Sequence, residues 1–118
     1  MLTLDQMIAY LRDEVGAQQQ TPNGFAIQVQ GSQVAQHHIF VILTAERILF
    51  SAPLFETASI SAQQALDFTI SSPFGLSIIG DSFALKHVFS MEDITIERFL
   101  EELTFFIVGI EELLPKSA

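Results

Sequence analysis

Residues 74 to 114 read FGLSIIGDSFALKHVFSMEDITIERFLEELTFFIVGIEELL, and this stretch decides the fold. Its first part places two apolar runs, LSII and SFALKHVF, on either side of Gly80-Asp81, a pair typical of a two-residue hairpin turn. Thr95 then provides a helix N-cap. Beyond it, apolar residues recur three and four positions apart: Ile96, Phe99, Leu103, Phe106, Ile110 and Leu113. The stretch therefore predicts a β-hairpin followed by a long amphipathic helix that ends at Pro115.

The predicted helix has more apolar residues than one buried stripe needs. Three of them broaden the stripe: Leu100, Ile107 and Leu114. Phe105 and Val108 lie off it, and the residues one turn away, Glu101 and Glu112, are charged. Because a monomer would leave this apolar island exposed to water, we predict that Phe105 and Val108 contact a second subunit or a partner protein. The alternative is a central helix, buried within one chain between the sheet and residues 59 to 71.

Gly109 lies inside the same helix. A glycine there costs up to about 1 kcal/mol relative to alanine, so its presence asks for a reason, such as the close approach of another backbone. We therefore add Gly109 to Phe105 and Val108 as a predicted partner or dimer contact. The alternative is a glycine that is tolerated near a helix end.

The first part of the chain predicts one helix and three strands. Thr3 and Gln6 match a capping box, and Gly16 can close the helix. Residues 17 to 24, AQQQTPNG, predict a polar loop. The three strands are indicated by alternation from residue 25, by the run IFVILT from residue 39, and by ILF from residue 48. Pro53 is expected to end the third strand or to place it at an edge.

Residues 59 to 71 predict a short helix, which completes the order α-β-β-β-α-β-β-α. The apolar residues near helical spacing in it are Ile60, Ala62, Ala65, Leu66 and Ile70. This order describes an α+β fold in which an antiparallel sheet packs against helices. With 118 residues, the chain is expected to form a single domain, 1–118, around one core. In that core, three residues of the last helix should meet the sheet and three of the first: Leu103, Phe106 and Ile110 with Leu4, Ile8 and Leu11.

Charge and composition limit the classes of partner. Five Lys and Arg against fourteen Asp and Glu give a net charge of −9, which opposes binding to nucleic acid or to an anionic membrane. Eight of the acids lie between Asp81 and Glu112, so the most acidic region suits a basic or neutral partner. The absence of cysteine fits a reducing compartment, and the N-terminus has neither a signal peptide pattern nor a membrane span. We expect a cytoplasmic protein.

The sequence indicates no reaction chemistry. His37 and His38 are neighbours in a predicted strand, so they point to opposite faces and are expected to be a surface pair, not ligands of one metal. The glycines form no phosphate-binding loop, and the pairs Glu101-Glu102 and Glu111-Glu112 are typical of a solvated helix face. We therefore expect no enzyme activity, no catalytic residues, no metal and no cofactor.

An acidic chain with this order of elements resembles the type III secretion chaperone fold, which the Tir-chaperone class shares with the YbjN-like family. The resemblance covers most of the chain, and residues 74 to 114 are its most specific part. Residues 38 to 55, HIFVILTAERILFSAPLF, are also similar to the YjfI-like family. The resemblance implies a bacterial homodimer without enzyme activity, in which the sheet and helices hold an extended segment of a partner protein against apolar grooves.

Three interpretations of function remain open at this point. The first is a chaperone-like or adaptor-like module that binds a partner polypeptide, which the acidic surface, the surplus apolar residues and the absence of catalytic groups favour. The second is a YbjN-like or YjfI-like regulatory protein with an unknown partner. The third is a small ligand-binding protein or hydrolase, which would need a deep pocket with converging polar groups.

Overall fold

The computed structural model describes residues 1–29 and 37–117 of the chain. Its elements, in chain order, are α1 (Leu4–Ala9), which continues as a π-helical segment (Tyr10–Val15), β1 (Gln18–Thr21), β2 (Gly24–Val29), β3 (His37–Leu43), β4 (Arg47–Glu56), α2 (Ala62–Ser71), β5 (Gly75–Ile79), β6 (Ser82–Ser90) and α3 (Ile96–Ser117). The six strands form one antiparallel sheet in the order β1-β2-β3-β4-β6-β5. The predicted α+β class and antiparallel sheet are therefore confirmed.

Strand β1 is absent from the predicted order, because residues 17 to 24 were expected to form a loop. Gln18 pairs with Ala26 and Gln19 with Phe25, so β1 and β2 form a hairpin at the edge of the sheet. All four residues of β1 are exposed. A strand that buries no side chain has no alternating apolar pattern, and its backbone pairing alone does not show in the sequence. The prediction of a loop is wrong at this position.

The first helix begins as predicted. Thr3 accepts a hydrogen bond from the backbone N–H of Gln6, whose side chain in turn accepts one from the backbone N–H of Thr3. Gly16 follows the π-helical segment with a φ of 73°, a left-handed conformation that glycine adopts without the steric cost of a side chain. The predicted capping box and closing glycine are both confirmed.

All three helices contact the same face of the sheet. On this helix-covered face, Phe50 of β4 contacts Phe99 and Phe106 of α3, and Tyr10 packs edge-on against Phe99. The predicted core residues Phe106, Ile110 and Leu11 are fully buried. The other three predicted core residues are partly buried and pack against the same cluster: Leu103, Leu4 and Ile8. The predicted packing of the two helices on the sheet is therefore confirmed.

Helix α2 uses a different face from the one that its spacing suggested. Phe68 is buried and stacks on Phe55 of β4, with 5.3 Å between the ring centroids. Leu66 and Ile70, which the sequence placed on the buried stripe, are exposed. A single large aromatic anchor fixes which side of this ten-residue helix faces the core, and helical spacing alone did not identify it.

Two prolines do not end their elements as expected. Strand β4 passes through Pro53, which pairs with Ala84 of β6 after the pairing with β3 has stopped at Ser51. The missing N–H therefore faces no partner strand, and the expected edge position is correct although the expected end is wrong. Helix α3 continues through Pro115 to Ser117, so the expected end at Pro115 is wrong. The proline removes only one intrahelical hydrogen bond there, close to where the helix stops.

The opposite face of the sheet is not covered by any helix in the described part of the chain. Its central residues form a groove of about 520 Å³ whose lining comes entirely from strands. The alternation of the paired strands places the following side chains on this face: Phe40, Ile42, Leu49, Ser51, Pro53, Lys86 and Val88. We call it the open sheet face.

Candidate functional site

The predicted contact residues of α3 lie on the outer side of that helix. The side chain of Phe105 is 50% exposed and that of Val108 is 48% exposed. Leu100, expected to broaden the buried stripe, is also exposed and lines a shallow groove with Phe105. We call Leu100, Phe105 and Val108 the α3 surface. Glu97 and Glu101 line the same groove, so the α3 surface is apolar with an acidic border.

Phe105 is held in place by residues of the same chain. Its ring centroid lies 4.9 Å from that of Phe74, a buried residue in the connection from α2 to β5. Phe74 also packs edge-on against Phe106, with 5.3 Å between the centroids. The exposed ring of Phe105 is therefore the outer end of an aromatic cluster that reaches the core, and this packing limits its movement.

Gly109 is buried, and its neighbour is a side chain, not another backbone. A methyl group built at its Cβ position would overlap the ring of Phe74. The close approach that the sequence predicted is therefore present inside the chain. Gly109 supports the α3 surface by letting Phe74 lie against the helix, and Phe74 in turn supports Phe105.

A hydrogen-bonded charge cluster joins β6 to α3 beside these aromatic rings. His87 Nε2 lies 2.5 Å from Glu102 Oε2, and Arg98 Nε donates to Glu102 Oε1 at 2.9 Å. Partial burial raises the pKa of the Glu102 carboxyl, but the hydrogen bonds and charges of His87 and Arg98 outweigh burial, so the pKa is lowered from its ordinary value. The carboxylate thus stays ionised and fixes α3 to the sheet.

The structure also has an apolar surface that the sequence did not predict, at α2 and β5. The side chain of Leu66 is 58% exposed and that of Ile70 is 83% exposed, one turn apart on α2. Ile78 of β5 is exposed next to them and lines a groove of about 600 Å³ together with Leu66. We call Leu66, Ile70 and Ile78 the α2–β5 surface. Phe68 is the residue in the sequence that could have revealed this surface. When Phe68 faces the core, Leu66 and Ile70 face outward.

The two neighbouring histidines do point to opposite faces, but they are not a surface pair. His38 is exposed, whereas His37 is buried against α3. His37 Nε2 lies 3.5 Å from Glu111 Oε1, within ion-pair distance, yet makes no hydrogen bond to the described residues. Within residues 1–29 and 37–117, no group of three or more His, Cys, Asp or Glu side chains could hold a metal ion.

Two solved structures are similar to this chain over nearly its whole length. A chain in the crystal structure of the ExsC-ExsE complex superposes with a TM-score of 0.69 and 14% identity, over 98% of this chain and 96% of that chain. YbjN from E. coli, a candidate transcription regulator, superposes with a TM-score of 0.55 and 19% identity, over 95% of this chain and 91% of that chain. No family model and no curated protein matches the sequence.

These likenesses define the class of fold. The chain has a type III secretion chaperone-like α+β fold, as its sequence resemblance implied. The structure of YbjN, which the resemblance also named, shares this fold. Among the helices of the described residues, none combines the length and the apolar character needed to cross a membrane.

Proposed function

We propose that the protein is a non-enzymatic, chaperone-like or adaptor-like module that binds a partner polypeptide. The α3 surface is the observation that carries this proposal, because Phe105 is half-exposed and packs against the buried ring of Phe74. Aromatic side chains are enriched at protein interfaces, where they bury a large apolar area. The likeness to a chain of the ExsC-ExsE complex, a complex of two proteins, supports the same role.

The chemistry of the α3 surface indicates the kind of segment that it binds. Its apolar side chains need an apolar partner side chain, while Glu97 and Glu101 at its border favour lysine or arginine nearby. The net charge of −9 adds a long-range attraction for a basic segment. We therefore propose an apolar and basic polypeptide segment as the partner, and not nucleic acid or a membrane.

We also propose that the protein is a homodimer in the reducing cytoplasm and that the α2–β5 surface is the contact between its subunits. Leu66 and Ile70 are exposed one turn apart on α2, and Leu66 lines a groove together with the exposed Ile78. Burial of such side chains stabilises association by roughly 1.5 to 3 kcal/mol each. This assignment leaves the α3 surface free for the partner polypeptide.

The two surfaces provide matched variants for one experiment. The Phe105→Ser and Val108→Ser double variant should lose a partner that the wild type captures from its own cell extract, because serine removes the apolar contact area. The Leu66→Ser and Ile70→Ser variant should keep that partner. Thermal melts establish that both variants fold. Equal capture by all three proteins would contradict the proposed role of the α3 surface, and a halved sedimentation mass of the Phe105 and Val108 variant would identify it as the subunit contact instead.

The likeness to YbjN supports a second candidate, a regulatory protein that acts through a protein partner. The acidic charge opposes direct binding to DNA. An electrophoretic mobility shift assay at low salt, where binding to phosphates is strongest, tests for DNA binding. A regulator that binds DNA gives a shift, whereas a regulator that acts through a protein partner gives none. A shift that disappears as salt rises would contradict both proposals.

A further inference from the structure

The groove on the open sheet face has the composition of a small-molecule site. Its volume of about 520 Å³ lies within the range of pockets that hold drug-sized ligands. Most of its lining is apolar and includes Phe40, Ile42, Leu49, Pro53 and Ile79. The groove crosses the sheet from β1 at one edge to β5 at the other.

The lining also contains polar side chains, and two of them, Ser51 and Lys86, lie side by side; the others are Gln20, Thr21 and Ser77. Ser51 is only 6% exposed, and its Oγ makes no hydrogen bond with any described residue. Lys86 is directly opposite Ser51 in the pairing of β4 with β6, so the two side chains stand about 5 Å apart on the same face. A buried hydroxyl without a partner is rare, and because the Oγ atom has less than 1 Å² of accessible surface, a ligand reaches it only when the Ser51 side chain rotates toward the groove.

Lys86 is available to a ligand. Its side chain is exposed and forms no ion pair within the described residues, although the chain has an excess of nine negative charges. On its other side, Lys86 pairs with Gly75 of β5, where no atom lies within 4 Å of the Cβ position. There is therefore open space next to Lys86 on the β5 side.

We propose that the groove binds a small amphipathic monocarboxylate, that is, an apolar body with one carboxylate, such as a fatty acid. A carboxylate can accept a hydrogen bond from the exposed Lys86 ammonium, and a second one from the Ser51 hydroxyl once that side chain rotates toward the groove. One lysine balances one negative charge, whereas a phosphate dianion would face the surplus acidity of the chain with too few cations. The apolar body lies along Leu49, Ile42 and Phe40.

This inference goes beyond the proposed binding role of the α3 surface and does not depend on it, although Ile78 of the proposed subunit contact also lines the groove. The α3 surface lies on the helix-covered side of the sheet, and the groove lies on the opposite face. A variant of one site can therefore be folded and active at the other. The failure of partner capture and the failure of ligand binding are separate results.

The test is a titration of the full chain with octanoate and with 1-octanol, followed by amide chemical shifts in two-dimensional NMR. We expect saturable shifts at Ser51, Gly75 and Lys86 with octanoate, and an affinity for 1-octanol that is weaker by about tenfold or more, because it lacks the charge. Lys86→Met keeps the apolar stem and should weaken octanoate binding by about tenfold or more. Arg12→Met removes a positive charge from the helix-covered side and should leave the affinity unchanged.

Several results would overturn the proposal. These are the absence of shifts in the groove with octanoate, an equal affinity for octanoate and 1-octanol, or an equal loss in the two charge variants. A short apolar peptide with an amidated C-terminus that binds the groove as tightly as octanoate would show that the occupant is a polypeptide. A halved sedimentation mass of Ile42→Asp would show that a second copy covers the groove. The comparison of the two ligands on the wild type needs no variant to fold.

Discussion

Phe106 is the residue around which the core is built. Its ring is fully buried, with centroid distances of 5.5 Å to Phe50 and 5.3 Å to Phe74. Phe106→Ala should lower the free energy of unfolding by about 3 to 5 kcal/mol, because it removes buried surface and leaves a cavity. Denaturant unfolding measures this change. The neighbouring Phe105→Ala, which truncates a half-exposed ring, is the control and should cost less. An unchanged melt of Phe106→Ala would show that this ring does not support the core.

Gly109 should not tolerate a methyl group. Alanine in a helix is favoured over glycine by up to about 1 kcal/mol, but here it would overlap a Phe74 ring that Phe105 and Phe106 hold in place. Overpacking of this kind costs about 1 to 3 kcal/mol, so Gly109→Ala should lower the melting temperature. Adding Phe74→Leu to Gly109→Ala provides the control, since a smaller side chain makes room for the methyl group. A higher melting temperature of Gly109→Ala would mean that Phe74 moves freely.

Glu102 should make stability depend on pH in the acid range. Because the pKa of Glu102 is lowered in the folded state, its contribution to the free energy of unfolding is fully present above the ordinary pKa of 4.5. That contribution is lost as the pH falls through the lower pKa of the folded state. Near neutral pH, Glu102→Gln should cost about 1 to 3 kcal/mol, because hydrogen bonds to a charged group are lost. The difference from wild type should shrink below pH 4.5. Urea unfolding across pH tests this. Glu101→Gln, at an exposed position of the same helix, is the control and should cost less near neutral pH.

At the scale of elements, the sequence predicts the helices and strands whose buried residues recur at regular spacing. Helices α1 and α3 and strand β6 bury residues at regular spacing, and the Gly80-Asp81 turn identifies β5 as the partner of β6, so these elements were predicted. Strand β1 buries no side chain, so it could not be predicted. The exposed side of α2 was missed because it depends on the stacking of Phe68 on Phe55 of the preceding strand, a contact that helical spacing does not show.

At the scale of the whole molecule, the α2–β5 surface should decide the oligomeric state. The Leu66→Ser and Ile70→Ser variant should remain folded, because both side chains are exposed in the single chain, and its sedimentation mass should fall from dimer to monomer. The control is Gln63→Ser with Asp67→Ser, two exposed polar residues on the same helix. A wild type that already sediments as a monomer would contradict the proposed dimer. The sequence alone could not locate this surface, since it combines residues of α2 and β5.

The two edges of the sheet differ in how well they resist misassembly. Neither edge strand is charged, but the β1 edge presents polar glutamine and threonine side chains, whereas the β5 edge, GLSII, exposes the apolar Ile78 and Ile79. An uncharged apolar edge strand is a template for pairing with other chains and for amyloid growth. Any substitution that exposes β5 for longer, including one that prevents dimer formation, should therefore shorten the shelf life of concentrated samples, and a lysine introduced at Ser77 should lengthen it.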